Sequence, residues 1–350
     1  MCRRWRTTTG AAAPLTGGLS GAAAWAVDDA GRRVVLKRFA AAASRAHAAW
    51  VHAFMQHVRA GGVLEVPALE TAADGETLQA DHAGTLWELM EWKPGHSTAQ
   101  PTTQQVAAAA LVLARVHRAA ATWPACPSRV DHSPGVLHRV ARARDLLARP
   151  WAARISTTRR GPLREQFDRA IAIWAERGGG QAVAHVAAWE SQPVVLQPVL
   201  RDVWSDHVLF SDGQVTGIID WHAAGIDTPA TDVARLVGSW PGDSAMLRTF
   251  LDSYSAVRPL TDEEVGLVPF LRDTGVLFGF DNWFRWIVEE NHQFADTKAV
   301  GERIDALLAA LPDAVQRLAF GVPQGEEGLG PASIDRKKTA PLDFSHDNNF

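Results

Sequence analysis

At 350 residues and 47% hydrophobic side chains, the chain can bury a substantial core in one large or two modest domains, and no apolar run is long enough to span a membrane. Its 35 Lys and Arg against 39 Asp and Glu give a net charge of −4, which leaves no basic footprint for nucleic acid. The 2 cysteines, Cys2 and Cys126, argue against a disulfide framework and for a reducing cytoplasm, and the basic start Met1 to Arg6 runs into Thr, Gly and Ala rather than the apolar stretch of a secretory signal.

Residues 1–13 read as an extension before a small mixed lobe, residues 14–95. Leu15 to Gly21 is a glycine-rich turn, and Ala24 to Val27 suits a strand. Asp28-Asp29-Ala30-Gly31 turns the chain into a second strand, Val34 to Phe39. Gly17, Gly18 and Gly21 can let backbone amides approach phosphates, or they can simply turn a hairpin. A helix is expected from Ala41 to about Arg59, carrying His52 and Gln56 one turn apart on one face, with no Asp or Glu between Asp29 and Glu65. Val66 to Leu69 and two short strands follow, the last ending in Leu86 to Trp92 before Lys93-Pro94-Gly95.

A larger lobe, residues 96–320, opens with Thr102-Thr103-Gln104-Gln105, a capping box for a long helix to about Ala121 that places Val106, Ala110, Leu113 and His117 on one face. Arg139 to Arg177 carries helical patterning rich in Arg, and its cluster Arg139, Arg142 and Arg144 reads as a solvated face. Gly178-Gly179-Gly180 breaks the pattern before a helix from Gln181 to Trp189, and Val194-Val195-Leu196 leads on as a strand. Phe278 to His292 gathers Asp281, Trp283, Trp286, Glu289 and Glu290. The tail from Gly321, rich in Gly, Pro and charge, reads as disordered. No internal repeat is present.

The densest chemical signal is Leu200-Arg201-Asp202-Val203-Trp204-Ser205-Asp206-His207, followed after a strand, an Asp212-Gly213 turn and a second strand by Ile219-Asp220-Trp221. One Asp placed to accept a hydroxyl proton, and two ligands brought together by a hairpin to hold metal, are what phosphoryl transfer requires. These residues resemble the aminoglycoside phosphotransferase and choline kinase branch of the protein-kinase-like enzymes, which typically reads His-Gly-Asp, four residues, Asn, then Ile-Asp-Trp or Ile-Asp-Phe. Asp202 falls on the catalytic Asp and Asp220 on the metal-binding Asp, while Leu200-Arg201 replaces His-Gly and His207 replaces the Asn. Either His207 binds Mg²⁺ or Mn²⁺ through a neutral ring nitrogen, or Asp206 takes over as ligand, or the site has lost one metal.

The resemblance implies an α+β, two-lobed protein-kinase-like fold with a small antiparallel-sheet lobe and a larger, mostly helical one. It implies an ATP-dependent transfer of the γ-phosphoryl group to a hydroxyl of a small molecule, with Mg²⁺, or Mn²⁺ in its place, and with GTP as an alternative donor. Gly17, Gly18 and Gly21 then cradle phosphate, Lys37 contacts the α- and β-phosphates, and Met90 to Trp92 line the adenine slot. The acidic partner that the family places on the following helix is missing here, which leaves His52 as the substitute. Asp227 to Leu236 matches the segment ending Asp-Leu-Ala-Arg-Leu, with Asp232 as an N-cap or a brace for the catalytic loop. Asp281, Trp283 and Trp286 would wall the acceptor site. Two alternatives accompany this reading: a catalytically degenerate pseudokinase or nucleotide-binding regulator on the same fold, and a transition-metal hydrolase using Asp202, Asp206, His207, Asp220 and His222. Nothing in the sequence specifies an oligomeric state.

Overall fold

The computed structural model describes residues 5, 12–15, 22–154, 163–240, 242, 244–294 and 297–321. The turn carrying Gly17, Gly18 and Gly21, and the tail beyond Gly321, lie outside them. Five strands, β1 (Ala12–Leu15), β2 (Ala23–Asp29), β3 (Arg32–Arg38), β4 (Leu78–Ala80) and β5 (Leu86–Glu91), form an antiparallel sheet in the order β1-β2-β3-β5-β4. Ala30 and Gly31, both at positive φ, make the tight turn between β2 and β3. Alternation gives the sheet two unlike faces. Val27, Val34, Leu36 and Leu89 pack with Trp5 and Ala72 on one, whereas Lys37 stands opposite Glu88 and Val35 opposite Met90 on the other.

Helix α1 (Arg45–Ala60) follows β3 and precedes β4 in the chain. It starts later than the sequence suggests, because the Ser44 side chain accepts from the His47 N–H and caps the helix there. Its apolar face joins the main core through Phe54, which packs against Trp123 and Trp221. The link between the lobes is pinned. Lys93 is buried and donates to the Leu64 carbonyl and to Glu91, and Gly95 sits at φ +111°, where an added Cβ would lie 2.5 Å from the Phe210 carbonyl oxygen.

The larger lobe begins with α2 (Thr103–Ala120), whose Thr102–Gln105 capping box is formed in both directions. Strand β6 (Arg129–His132), α3 (Pro134–Ala148), α4 (Trp151–Arg154), α5 (Arg164–Glu176) and α6 (Gly179–Ala187) follow. The expected continuous helical stretch is therefore several pieces, interrupted at Pro150, which cannot continue a helix. The glycine run does not end before a helix but starts one: Gly178 turns the chain at φ +75°, and a Cβ on Gly179 would strike the Trp174 ring at 2.3 Å.

Strand β7 (Pro193–Val199) pairs with β6, and later with β10 (Gly225–Asp227), in a three-stranded sheet. Between them, β8 (Val208–Ser211) and β9 (Gln214–Ile218) form the expected hairpin, with Asp212 and Gly213 both left-handed at its tip. Helices α7 (Ala230–Val237), α8 (Ser244–Ser255), α9 (Asp262–Phe284) and α10 (Thr297–Phe320) complete the lobe. Among the described residues no helix is long and apolar enough to cross a membrane.

Candidate functional site

Strand β7 delivers the chain into the loop carrying Asp202, and a buried carboxylate sets the loop's path. Asp232 on α7 accepts from the backbone N–H of Leu200 at 2.7 Å and of Arg201 at 2.6 Å. It is a brace and not the N-cap, which is Pro229 with no side-chain hydrogen bond. His117 donates from Nε2 to Asp232 at 3.0 Å and accepts on Nδ1 from the Tyr254 hydroxyl at 2.7 Å, a pairing that suits a neutral imidazole. Burial pushes the His117 pKa down despite the attraction of Asp232. Its role is structural.

Arg201 lies at φ +64°, a conformation that costs a non-glycine residue about 1–3 kcal/mol. This explains the family's glycine at the position. Here the Arg201 guanidinium donates to the Ile226 carbonyl at 2.7 Å, over Gly225, where a Cβ would come within 2.6 Å of it. Asp202 projects from this turn with its side chain 41% exposed. Its Oδ1 accepts from Arg235 at 2.7 Å, and its Oδ2 has no hydrogen-bond donor among the described residues.

A short helical turn, Ser205–His207, brings His207 back beneath Asp202. His207 donates from Nδ1 to the Asp202 carbonyl at 2.7 Å, so its Nε2 carries the lone pair. That atom accepts from the Trp204 indole at 3.0 Å and lies 3.8 Å from Asp220 Oδ2. The imidazole thus reproduces both ends of an Asn amide: a donor toward the loop and an acceptor facing Asp220. Asp220 sits at φ +59°, and Trp221 anchors the turn by donating to the Ile218 carbonyl at 2.8 Å and packing on Phe54.

Lys37 reaches across from the small sheet to Asp220 Oδ1 at 2.8 Å. Burial opposes charge on Asp220, but the Lys37 ammonium outweighs it and holds the carboxylate below its usual range. His52 does not touch Lys37, contrary to expectation, and Gln56 is exposed. The acid sits elsewhere. Glu88, fully buried on β5 directly opposite Lys37, accepts from His52 at 2.6 Å and from His222 at 2.7 Å. Burial alone would raise its pKa, yet His222, His52 and Lys37 together hold it well below the carboxylate range. The carboxylate thus stands on the strand next to Lys37, and the helix contributes an imidazole in its place. A signal was present: Glu88 interrupts the apolar run from Leu86 to Met90.

Met90 shares the Lys37 face of the sheet, while Trp92 packs beneath the Arg33 guanidinium at 4.2 Å. Asp281 is not open to an acceptor: it accepts from Arg142, from Arg154 at 2.8 Å and from Trp151 at 2.9 Å. Trp283 is core, and Trp286 packs edge-on against it. The hydrolase alternative fails on geometry, since His222 is bound to Glu88 and no group of three or more His, Cys, Asp or Glu among the described residues could hold a metal ion.

A profile of the phosphotransferase enzyme family matches residues 11–265, which include the whole constellation from Lys37 to Arg235. The homoserine kinase of Acidiphilium cryptum (strain JF-5) is 27% identical over 250 residues, 68% of this chain and 70% of that protein. Spectinomycin phosphotransferase, solved with ADP and spectinomycin, is 13% identical with a TM-score of 0.64 over 90% of this chain and 94% of its own. A choline/ethanolamine kinase family protein from Mesorhizobium loti is 17% identical with a TM-score of 0.54, over 88% and 93% of the two chains. At such identities the likeness speaks for the fold, which is the two-lobed protein-kinase-like one, a small antiparallel-sheet lobe on a larger helical lobe.

Proposed function

This chain belongs to the phosphotransferase enzyme family, whose members move a phosphoryl group from ATP to a small-molecule hydroxyl, and we propose that Asp202 is the base of that transfer here. The observation that carries the assignment is convergence. Lys37, His207 and Asp220 come from three separate elements, and Lys37 and His207 both approach Asp220 while His207 also bonds the Asp202 backbone.

In the reaction, the acceptor hydroxyl gives its proton to Asp202 Oδ2 as its oxygen bonds to the γ-phosphorus. The bond from that phosphorus to the β–γ bridging oxygen breaks, and ADP leaves with the electron pair. Arg235 on Oδ1 keeps the carboxylate in place. Lys37, paired with Asp220 here, turns to the α- and β-phosphates when nucleotide enters. Met90 and Trp92 border the adenine. The Asp220 carboxylate and the lone pair on His207 Nε2 form a donor set that fits Mg²⁺ or Mn²⁺, at the cost of the Trp204 hydrogen bond. Such an ion, once bound, supplies neutralising charge to the phosphates. Positioning and electrostatics do most of the work.

No finding favours the catalytically degenerate alternative. The test is calorimetry with Mg²⁺·ATP and Mn²⁺·ATP on wild type, Asp220→Ala and His207→Ala, followed by ADP release with an acceptor panel that includes homoserine, since relatives carry that name. Metal-dependent binding lost in both variants, with turnover abolished in Asp202→Ala, is the expected result. A wild type that binds neither nucleotide complex sinks the assignment.

A further inference from the structure

Beside Asp202 the protein gathers cations that its own acids do not match. Arg235 touches the reacting carboxylate at 2.7 Å. Arg303, from α10, lays its guanidinium 3.9 Å over the ring of Trp204, two residues beyond Asp202. Arg303 is half-buried and has neither a hydrogen bond nor an ion pair among the described residues. Its pKa is lowered by burial and by the neighbouring charge of Arg235, with only Asp206 and Asp202 acting in the other direction. Asp206 is exposed and Asp202 is the reacting group.

The next arginine inward repeats the pattern. Burial is the main cause that lowers the Arg139 pKa to about 10; Asp227 acts against it, and Arg235 and Arg142 lower it further. Its Nη1 donates only to the Gly135 carbonyl of its own helix. The acids nearby are committed elsewhere: Asp227 accepts from Ser133, Gly135 and Thr228, and Asp281 is enclosed by Arg142, Arg154 and Trp151. Leaving a desolvated guanidinium without an acid is costly, unless a ligand supplies the missing charge. The planar fork of Arg, held on an aromatic face, matches a carboxylate or phosphate in shape as well as charge.

We propose that Arg303, stacked on Trp204, and Arg235 form an anion clamp for the acceptor, so that the substrate is a small hydroxy compound carrying a carboxylate or phosphate a few bonds from the reacting hydroxyl. This rests on the phosphotransfer reading above and narrows its acceptor class. A polycationic amino sugar or a quaternary ammonium alcohol would meet like charge at the entrance to Asp202, and the clamp selects against both.

The experiment uses the full chain with Mg²⁺·ATP for turnover, and with a non-hydrolysable ATP analogue for calorimetric binding. The probes are L-homoserine and its methyl ester, D-glycerate and glycerol 3-phosphate against glycerol, and choline and kanamycin as cations. An anionic probe is expected to bind at least about tenfold more tightly than its uncharged or esterified counterpart. Arg303→Gln should raise KM for that probe about 10- to 100-fold while kcat stays within about threefold, with partial rescue by Arg303→Lys. The ester should lose nothing further in Arg303→Gln, and the exposed Arg248→Gln should leave every value unchanged. Nucleotide affinity within the wild-type range in each variant shows that the fold is retained. Which anion binds best separates carboxylate from phosphate. Turnover of choline, glycerol or kanamycin in preference to every anion overturns the clamp and leaves the phosphotransfer reading standing, as does nucleotide binding with no anionic probe bound. Failure to bind nucleotide at all removes that reading and the clamp with it.

Discussion

The Asp202 loop and the lysine face of the small sheet meet at Asp220, yet unlike devices hold them. The loop is held through its backbone: Asp232 grips two consecutive N–H groups and does not touch the side chains of Leu200 and Arg201. The lysine face is held side chain to side chain, through Lys37 to Asp220 and through Glu88 to His52 and His222. A backbone grip is indifferent to sequence, so the loop accepts Leu-Arg for His-Gly and His for Asn without losing its path. A side-chain network needs each partner's charge, but not the partner's place in the chain. Its acid can therefore sit on β5, with a histidine on α1 facing it.

The largest effect expected is at Asp202, the proposed base carried by the loop. Asp202→Ala should lower kcat by about 10²–10⁴-fold and leave the calorimetric affinity for Mg²⁺·ATP within a few-fold. A comparable loss of nucleotide affinity would mean that Asp202 holds the site together instead of taking a proton. Next comes the brace. Asp232→Ala strands two backbone donors and His117, and should lower unfolding free energy by about 3–5 kcal/mol in a urea titration. If stability is unchanged, the loop is not held by its backbone.

Glu88→Gln tests the other region. It removes the charge that both histidines address, and should raise KM for ATP about tenfold with a smaller change in kcat. Its loss of unfolding free energy is the sharpest check on the contrast drawn here: Glu88→Gln should cost less stability than Asp232→Ala, because Lys37 keeps Asp220 when Glu88 is neutral. Acidity weakens both regions, in separate windows. His117 is kept neutral below its ordinary pKa of about 6.5, so the unfolded chain takes up the proton first and stability falls as pH drops through that value. Glu88 has a depressed pKa, so its contribution is present above the ordinary Glu value of about 4.3 and is lost as pH falls further. Urea midpoints measured from pH 8 to pH 4 should flatten near neutrality in His117→Gln, and only at the acid end in Glu88→Gln. The smallest effect is reserved for His207→Asn. An amide can make the same two contacts, so activity should change by less than about tenfold, with preference moving from Mn²⁺ toward Mg²⁺.

Much of the loop was legible because its parts are close together. Asp212-Gly213 specifies a two-residue turn, which places His207 and Asp220 at adjacent ends of one hairpin, and the Thr102–Gln105 box starts its helix where local chemistry says it must. Misreadings came where a residue's meaning depended on a distant partner. His52 looked like a substitute for a missing acid because the acid lies on another strand, 36 positions away. Asp281 looked available because the arginines that enclose it belong to α3 and α4. The start of α1 moved to Arg45 because Ser44 caps it, and the arginine-rich run broke where Pro150 removes a donor and clashes with the preceding turn.

By itself, then, the amino-acid order determined the hairpin and the spacing of Asp202, His207 and Asp220 about it, since these rest on short-range spacing and turn chemistry, while Lys37 was singled out by the family resemblance. Tertiary structure alone decided what Lys37 and Glu88 pair with, why His207 presents Nε2 to Asp220, and where unmatched positive charge gathers beside Asp202. Those outcomes depend on which desolvated charges meet in the folded chain. Burial makes every unpaired group expensive, and only the packing of remote elements determines which pairs form.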